Sequence, residues 1–226
     1  MFWSDVKQLL EAVLLIVAAV LPVVNPLGSG PIFLSMTEGC DRSTRAELAR
    51  RIALYSFGLL LGSMLFGSFV LLFFGLSVPI VQVAGGAVVC ALGWRILADE
   101  GNNSATVTAD AQQARHIALG RAFYPLTLPV TIDAGVISVA ITVGANHSHT
   151  VRHSLIQFFA AVLGAIIISL TISVTYRYMA PLSRWVGNLG MQVILRLSAF
   201  ITLCIGVGIC WNGVKALLEG IGLVAK

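Results

Sequence analysis

Charge is what this sequence has least of. Asp, Glu, Lys and Arg make up 11% of its 226 residues, where soluble domains carry about 25%. Apolar residues reach 58% and the mean hydropathy is +0.92. So little polar surface cannot cover a water-soluble globule of this size. The same composition excludes disordered, collagen-like and disulfide-scaffold chains. Cysteine is scarce as well: Cys40, Cys90, Cys204 and Cys210 form no Cys-x-x-Cys pair, and three lie in apolar runs, where small buried hydrophobes are expected. Gly-x-Ser-x-Gly, His-Glu-x-x-His and a phosphate-binding glycine loop are missing, so no enzyme, no metal and no cofactor is expected. The net charge of +4 carries no nucleic-acid signal here, because basic residues in such a chain mark helix ends. A membrane barrel would alternate apolar and polar residues in segments of about ten. Long unbroken apolar runs point instead to an all-α, multi-pass integral membrane protein.

A membrane helix needs about 20 apolar residues. On that measure six spans are expected, near 9–37, 52–74, 78–97, 118–145, 154–176 and 193–217. Residues 52–94 hold no charge and are too long for one span; Gly75, Ser77 and Pro79 mark the turn that divides them. The first run leads into Asn25-Pro26 rather than a small-residue cleavage site, so it is expected to remain as a span. With the N-terminus outside, Arg42, Arg45, Arg50, Arg51, Arg95, Arg115, Arg121, Arg177, Arg184 and Arg196 all fall on the cytoplasmic side. Only Lys7, Arg152, Lys215 and Lys226 fall outside. The positive-inside rule therefore places both termini in the periplasm.

A polar stretch divides the six spans into three and three, giving a first repeat at 1–98, a cytoplasmic linker at 99–117 and a second repeat at 118–226. Three is odd, so the second repeat enters the membrane from the opposite side, the arithmetic of an inverted repeat. Spans one and four support this. One carries Asn25-Pro26-Leu27-Gly28-Ser29-Gly30-Pro31, and the other Tyr124-Pro125-Leu126-Thr127-Leu128-Pro129. Spans three and six match more loosely, Gln82–Gly86 against Arg196–Phe200.

Paired prolines with glycines between them break a helix. Irregular backbone inside a bilayer is tolerated only where it is protein-buried or lines a wet cavity. A half-helix starting at Pro31 would aim free N–H groups at that cavity and favour a carboxylate. Unwound carbonyls near Asn25 would take an ammonium or a cation. Two such breaks in corresponding spans are a pointer to a transporter site. Substrate contacts are therefore expected from Asn25, Pro26, Gly28, Ser29, Gly30 and Pro31 in the first break, and from Tyr124, Pro125, Thr127, Pro129, Thr131 and Gly135 in the second. Asp133 is the one carboxylate inside a span; a charge at that depth costs at least ~2.5 kcal/mol, so a proton- or cation-coupling role, or an anchor for a substrate ammonium, is expected, with a carboxylate hydrogen-bonded to backbone at the break or paired with an Arg near a helix end as the structural alternative.

Other polar residues carry weaker signals. Gln82 is a further cavity candidate, while Gly58, Gly62, Gly85, Gly86 and Gly93 are expected to permit close helix approach. Arg95 and Arg196 are expected to snorkel to the cytoplasmic surface. His147, His149 and His153 read as a solvated outer link, and Trp3, Trp94, Trp185 and Trp211 as interfacial anchors.

Asn25-Pro26-Leu27-Gly28 with Pro31-Ile32-Phe33-Leu34-Ser35 and Thr37, and then an Arg-rich turn, resembles the MarC family of integral membrane proteins. So do Phe123–Pro129, Ile137–Thr142 and Ala84-Gly85-Gly86, and the resemblance runs from about residue 9 to 217. It implies six spans in a bacterial inner membrane, and ion-coupled transport of small neutral amino acids such as glycine and alanine, with H+ or Na+ as coupling ion. It also implies a distant relation to LysE-type amino acid exporters, which keeps efflux open. One departure stands out: the family usually reads Gly-Pro-Gly where this chain has Asp133-Ala134-Gly135.

The expected function is a secondary transporter working by alternating access, one half moving against the other. Its expected partners are the amino acid, the coupling ion and membrane lipid, and not nucleic acid; self-association into a homo-oligomer stays open. A membrane scaffold or regulatory protein is the alternative from another class, and a channel or exporter for another small solute is a third.

Overall fold

The computed structural model describes residues 2–98, 111–145 and 151–220. Every regular element among them is helical: α1 Phe2–Val24, α2 Pro26–Met36, α3 Arg42–Phe73, α4 Val78–Ala98, α5 Ala111–Gly120, α6 Ala134–Gly144 and α7 Val151–Gly220. A π-wound segment, Ala122–Thr127, joins α5 to α6. Five helical stretches are long and apolar enough to cross a bilayer: Trp3–Val24, Arg42–Phe73, Val78–Ala98, Ser154–Gly187 and Leu189–Gly220. The chain is thus an all-α, multi-pass membrane protein. Its outer surface fits lipid: Phe66, Phe69, Leu72, Phe73, Leu170 and Leu189 are all exposed. The four tryptophans are exposed too.

Boundaries near the expected fifth and sixth spans need correction. Helix continues through Arg177, Pro181 and Arg184 to Gly187, where φ of 75° turns the chain. Only glycine takes that backbone region readily. The polar stretch 177–192 is therefore not a loop but the ends of two long helices around one glycine corner. Below, the first and second arms of α7 are the parts before and after Gly187. The expected linker is also partly helix, since 111–117 belong to α5, while 99–110 and His147 and His149 lie outside the described residues. At the start of α3, Asp41 accepts from the Thr44 amide at 3.1 Å and caps the helix. Hydrogen bonds from Ser43 and Thr44 hold its carboxyl well below the usual carboxylate range.

Contacts fix the direction of each helix. Gly164 packs on Ile16, Tyr176 on Ser29 and Phe33, and Met179 on Gly30. Residue numbers rise together, so α2 continues the course of α1 alongside the first arm of α7 rather than doubling back. Asn25 meets Ser198 and Thr202, while Pro31 and Leu195 share a cavity wall, so the second arm runs the other way. In the other half, Gly85 meets Ala134 and Ser138 and Gln82 meets Thr142, so α4 runs against α6. Each broken segment therefore leans on the unbroken helices of the opposite half: α1–α2 on α7, and α6 on α3 and α4.

The tightest packing joins α4 to the second arm. A methyl added at Gly86 would meet Cys210 N at 2.7 Å and Gly206 O at 2.8 Å. One added at Gly206 would meet Cys90 N at 2.7 Å and Gly86 O at 2.9 Å. Gly93 faces Ala199 and Leu203, and Gly213 faces Pro79 and Val83. The thiols repeat the pattern, with Cys90 Sγ toward Leu203 O at 3.8 Å and Cys210 Sγ toward Val83 O at 3.3 Å. Each contact has a twin 120 residues away, pairing 86 with 206, 90 with 210 and 93 with 213. The expected match of 82–86 with 196–200 followed apolar runs; these contacts are spaced by 120 residues instead, at small residues that let backbones touch. Gly85, Gly86 and Gly93 make the expected close approaches; Gly58 and Gly62 face open space. Cys40, Cys90 and Cys210 are half-buried but Cys204 is exposed, against the expectation of buried thiols.

Candidate functional site

The first break is built around Asn25. Its backbone is left-handed, with φ 44° and ψ 63°, a conformation that Asn tolerates better than other residues with a Cβ. Its side-chain oxygen accepts from Gly28 N at 3.2 Å, capping α2. Its amide nitrogen donates to Thr202 Oγ1 at 2.9 Å and to Ser198 O at 3.3 Å on α7. One side chain thus starts a half-helix and fastens it to the second arm. α2 begins at Pro26 and not at Pro31, because Asn25 supplies the cap and Pro26 needs no N–H at the first helical position. Pro31 lies inside α2, where its missing N–H leaves Leu27 O without its helical donor. Gly28 has no room for a side chain: a Cβ there would press on Asn25 and Ser198.

The second break is wound wider. Leu126 N donates to Arg121 O, Leu128 N to Phe123 O, Val130 N to Pro125 O and Ile132 N to Thr127 O, all i to i−5 bonds. Thr127 Oγ1 donates to Ala122 O at 2.7 Å and Thr131 Oγ1 to Leu126 O at 2.6 Å, satisfying carbonyls that the irregular winding frees. The Tyr124–Pro125 and Leu128–Pro129 peptides are cis. α6 then starts with Asp133, whose Oδ1 accepts from Val136 N at 2.8 Å. Asn25 and Asp133 thus play one local role, each capping an 11-residue half-helix through the amide three residues on.

Both breaks line one cavity of about 580 Å³. Its wall takes Asn25, Gly28, Ser29 and Pro31 from the first break and Tyr124, Pro125, Pro129, Thr131 and Asp133 from the second. From the breaks it reaches toward the end of the bundle that holds Met36, Ile96 and Leu195. Four expected contact residues do not line it. Pro26 is buried at the start of α2, Gly30 lies under Met179, Thr127 is fully buried on its own segment, and Gly135 lies under Val89. Each instead shapes the break that the lining residues use. Gln82 is absent from the wall as well; it bonds Thr142 Oγ1 at 3.1 Å.

Arg95 was expected only to snorkel, yet it lines this cavity while remaining exposed. Among the described residues it has no ion-pair partner. The cavity wall therefore carries one cation and one carboxylate, Arg95 and Asp133, together with the N-terminal ends of two half-helices. Helix N-termini and a guanidinium favour a carboxylate, and a carboxylate favours an ammonium. Among the described residues no cluster of His, Cys, Asp or Glu could hold a metal ion.

Sequence reasoning missed Thr202, Ser198 and Tyr176, which hold the breaks from α7. Thr202 faces the first break as Gln82, 120 residues earlier, faces α6 through Thr142. The paired small residues of α4 and α7 were the signal that could have found it.

The family described as "MarC family integral membrane protein" matches residues 10–218. Among curated proteins, the chain is 28% identical over 196 residues to UPF0056 membrane protein YvbG of Bacillus subtilis, covering 86% of this chain and 90% of that one. It is 27% identical over 220 residues to UPF0056 inner membrane protein MarC of Citrobacter koseri, covering 94% and 98%. Against the protein of that name from Salmonella paratyphi A it is 28% identical over 225 residues, with the same coverage. No solved structure matches.

Proposed function

The chain belongs to the MarC family of integral membrane proteins, and from that premise we propose that it is a secondary transporter of small neutral amino acids in a bacterial inner membrane. One observation carries this reading: two capped helix breaks from opposite halves line a single cavity that also presents Arg95 and Asp133. A zwitterion fits those charges. Its carboxylate is drawn to Arg95 and the half-helix N-termini, and its ammonium to Asp133. A cavity of about 580 Å³ holds glycine, alanine or serine together with water.

The architecture behind this reading is six crossings in two inverted repeats. The first is α1–α2, α3 and α4. The second is the α5–α6 segment and the two arms of α7. The twin contacts 120 residues apart, and the two 11-residue capped half-helices, support it. The positive-inside rule then puts the end with Met36 and Arg95 in the cytoplasm and both termini in the periplasm, so the cavity faces inward. Alternating access carries a broken crossing of one half together with unbroken helices of the other, because that is how they pack.

Counterflow tests the reading. Proteoliposomes preloaded with unlabelled alanine should take up labelled alanine several-fold faster than empty ones, because only a carrier exchanges. Absence of counterflow with alanine, glycine and serine in folded protein overturns it and favours a scaffold. Uptake without acceleration favours a channel.

Asp133 is assigned to ion coupling, and Asp133→Asn separates that role from capping. Asn caps a helix about as well as Asp but holds no titratable proton. Folded yield should persist and counterflow should remain measurable at raised substrate concentration, the ammonium having lost its charged partner, while accumulation driven by a proton or sodium gradient should fall to the exchange level. Unchanged accumulation would return Asp133 to a purely structural role.

A further inference from the structure

We propose that Tyr176 is the positioning residue that ties the two helix breaks into one unit, so that a change in one is transmitted to the other. The link rests on geometry; its consequence for transport rests on the transporter reading above.

Tyr176 stands on the first arm of α7 and is buried, 1% exposed. Its ring stacks on Phe33 of α2, with centroids 4.7 Å apart and planes 14° from parallel. Its hydroxyl donates to Ser29 Oγ in the first break at 2.9 Å and lies 2.8 Å from Thr131 Oγ1 in the second. Ser29 and Thr131 both line the cavity, but Tyr176 does not. It therefore holds both walls from behind, without standing where a substrate would sit.

Proton counting makes this more than a static clamp. Ser29 Oγ donates to Asn25 O at 3.2 Å, and Thr131 Oγ1 to Leu126 O at 2.6 Å. Three hydroxyls thus serve four contacts with three protons, since each hydroxyl has only one to give. While Tyr176 donates to Ser29, the single proton of Thr131 has two acceptors in reach, Leu126 O and the Tyr176 oxygen. If Thr131 turns to Tyr176, the chain of donors runs from the second break to the first and releases Leu126 O. If Tyr176 turns to Thr131, it runs the other way and the contact to Asn25 O lapses. Asn25 O tolerates that, because it already accepts from Gly28 N and Ser29 N. The polar satisfaction of one break is thereby set by the orientation of hydroxyls in the other, through one phenol. Buried networks of this kind couple their members non-additively.

A mutant cycle on the purified full-length chain tests the link. Ser29→Ala, Thr131→Val and their combination are made with Tyr176 present and with Tyr176→Phe, and thermal stability is measured for each. With Tyr176 present, the two substitutions should depart from additivity by about 2 °C or more. With Tyr176→Phe they should add within error. Additive shifts in the Tyr176 background overturn the link, and that arm stands even if Tyr176→Phe folds poorly. In counterflow, Tyr176→Phe should lower the maximal rate about tenfold and leave KM within about twofold, as expected for a residue that governs a conformational step without touching substrate. A KM change without a rate change overturns the positioning role. If stabilities couple while no variant, wild type included, shows counterflow, the link holds and the transporter reading fails.

Discussion

Replacing Asn25 by alanine should cut counterflow by more than about tenfold and lower stability by roughly 2–3 kcal/mol. The two effects have separable causes. Alanine loses the cap on Gly28 N, which costs about 1 kcal/mol, and it must hold a left-handed backbone at a further cost of roughly 1–2 kcal/mol. It also loses the bonds to Thr202 and Ser198 that fasten α2 to the second arm of α7. Asn25→Gly isolates the last effect. Glycine accepts φ 44° without strain and is only a few tenths of a kcal/mol worse as a cap. It should therefore recover most of the stability but not the transport. If Asn25→Gly transports normally, the bonds to Ser198 and Thr202 are not part of the mechanism. Thermal denaturation in detergent and counterflow per folded protein provide the two readouts.

The second large effect concerns the fold. Gly86→Leu and Gly206→Leu should each reduce or abolish a monodisperse, folded peak on size exclusion. A Cβ at either site meets backbone atoms at 2.7–2.9 Å. No side chain there can rotate away, so α4 and the second arm must separate. Overpacking costs about 1–3 kcal/mol even in cores that can adjust, and here backbone must move. The near-identical surroundings of the two glycines predict losses of similar size. Gly58→Ala and Gly62→Ala are the controls, because both face open space. They should be neutral or slightly stabilising, alanine being the better helix former by about 1 kcal/mol. A monodisperse Gly86→Leu variant with unchanged melting would contradict the packing described here.

How much of this was legible in the sequence differs by level. Composition and run length alone give a multi-pass helical protein, because a backbone in contact with lipid is satisfied only in helices or closed barrels, and unbroken apolar runs lack the alternation of a barrel. The breaks were legible because proline acts locally: Pro26, Pro31, Pro125 and Pro129 remove donors wherever the chain goes. That the breaks meet in one cavity was suggested only by their matching places. The exact start of α2 was not legible, since it depends on whether Asn25 or Pro31 sets the first turn, and Asn25 sets it by capping Gly28 N from a left-handed backbone whose side chain is also fastened to α7. Arg95 misled for a similar reason. An arginine at a span end snorkels in most settings, and only the packing of α2 and α7 beside it makes that end a cavity mouth. Tyr176 was invisible because its importance lies in long-range partners, and Thr202 was reachable only through the 120-residue register of α4 against α7. The glycine register of α4 against α7 was present in the letters at 86, 90, 93, 206, 210 and 213, but apolar identity is a weaker guide to a helix contact than the absence of side chains.

The leaning of each broken segment on the opposite half bears on how the protein is made. A ribosome delivers the first break long before the helix that fastens it. Asn25 is made first, and Ser198 and Thr202 follow only 173 and 177 residues later. Until then α2 has its own cap but no anchor, and the phenol of Tyr176 is also still to come. The first break must therefore wait in the bilayer as an incomplete site, and its geometry is settled only when the second arm of α7 arrives. A nascent chain stopped short of residue 198 holds every residue of the first break and none of its α7 second-arm anchors.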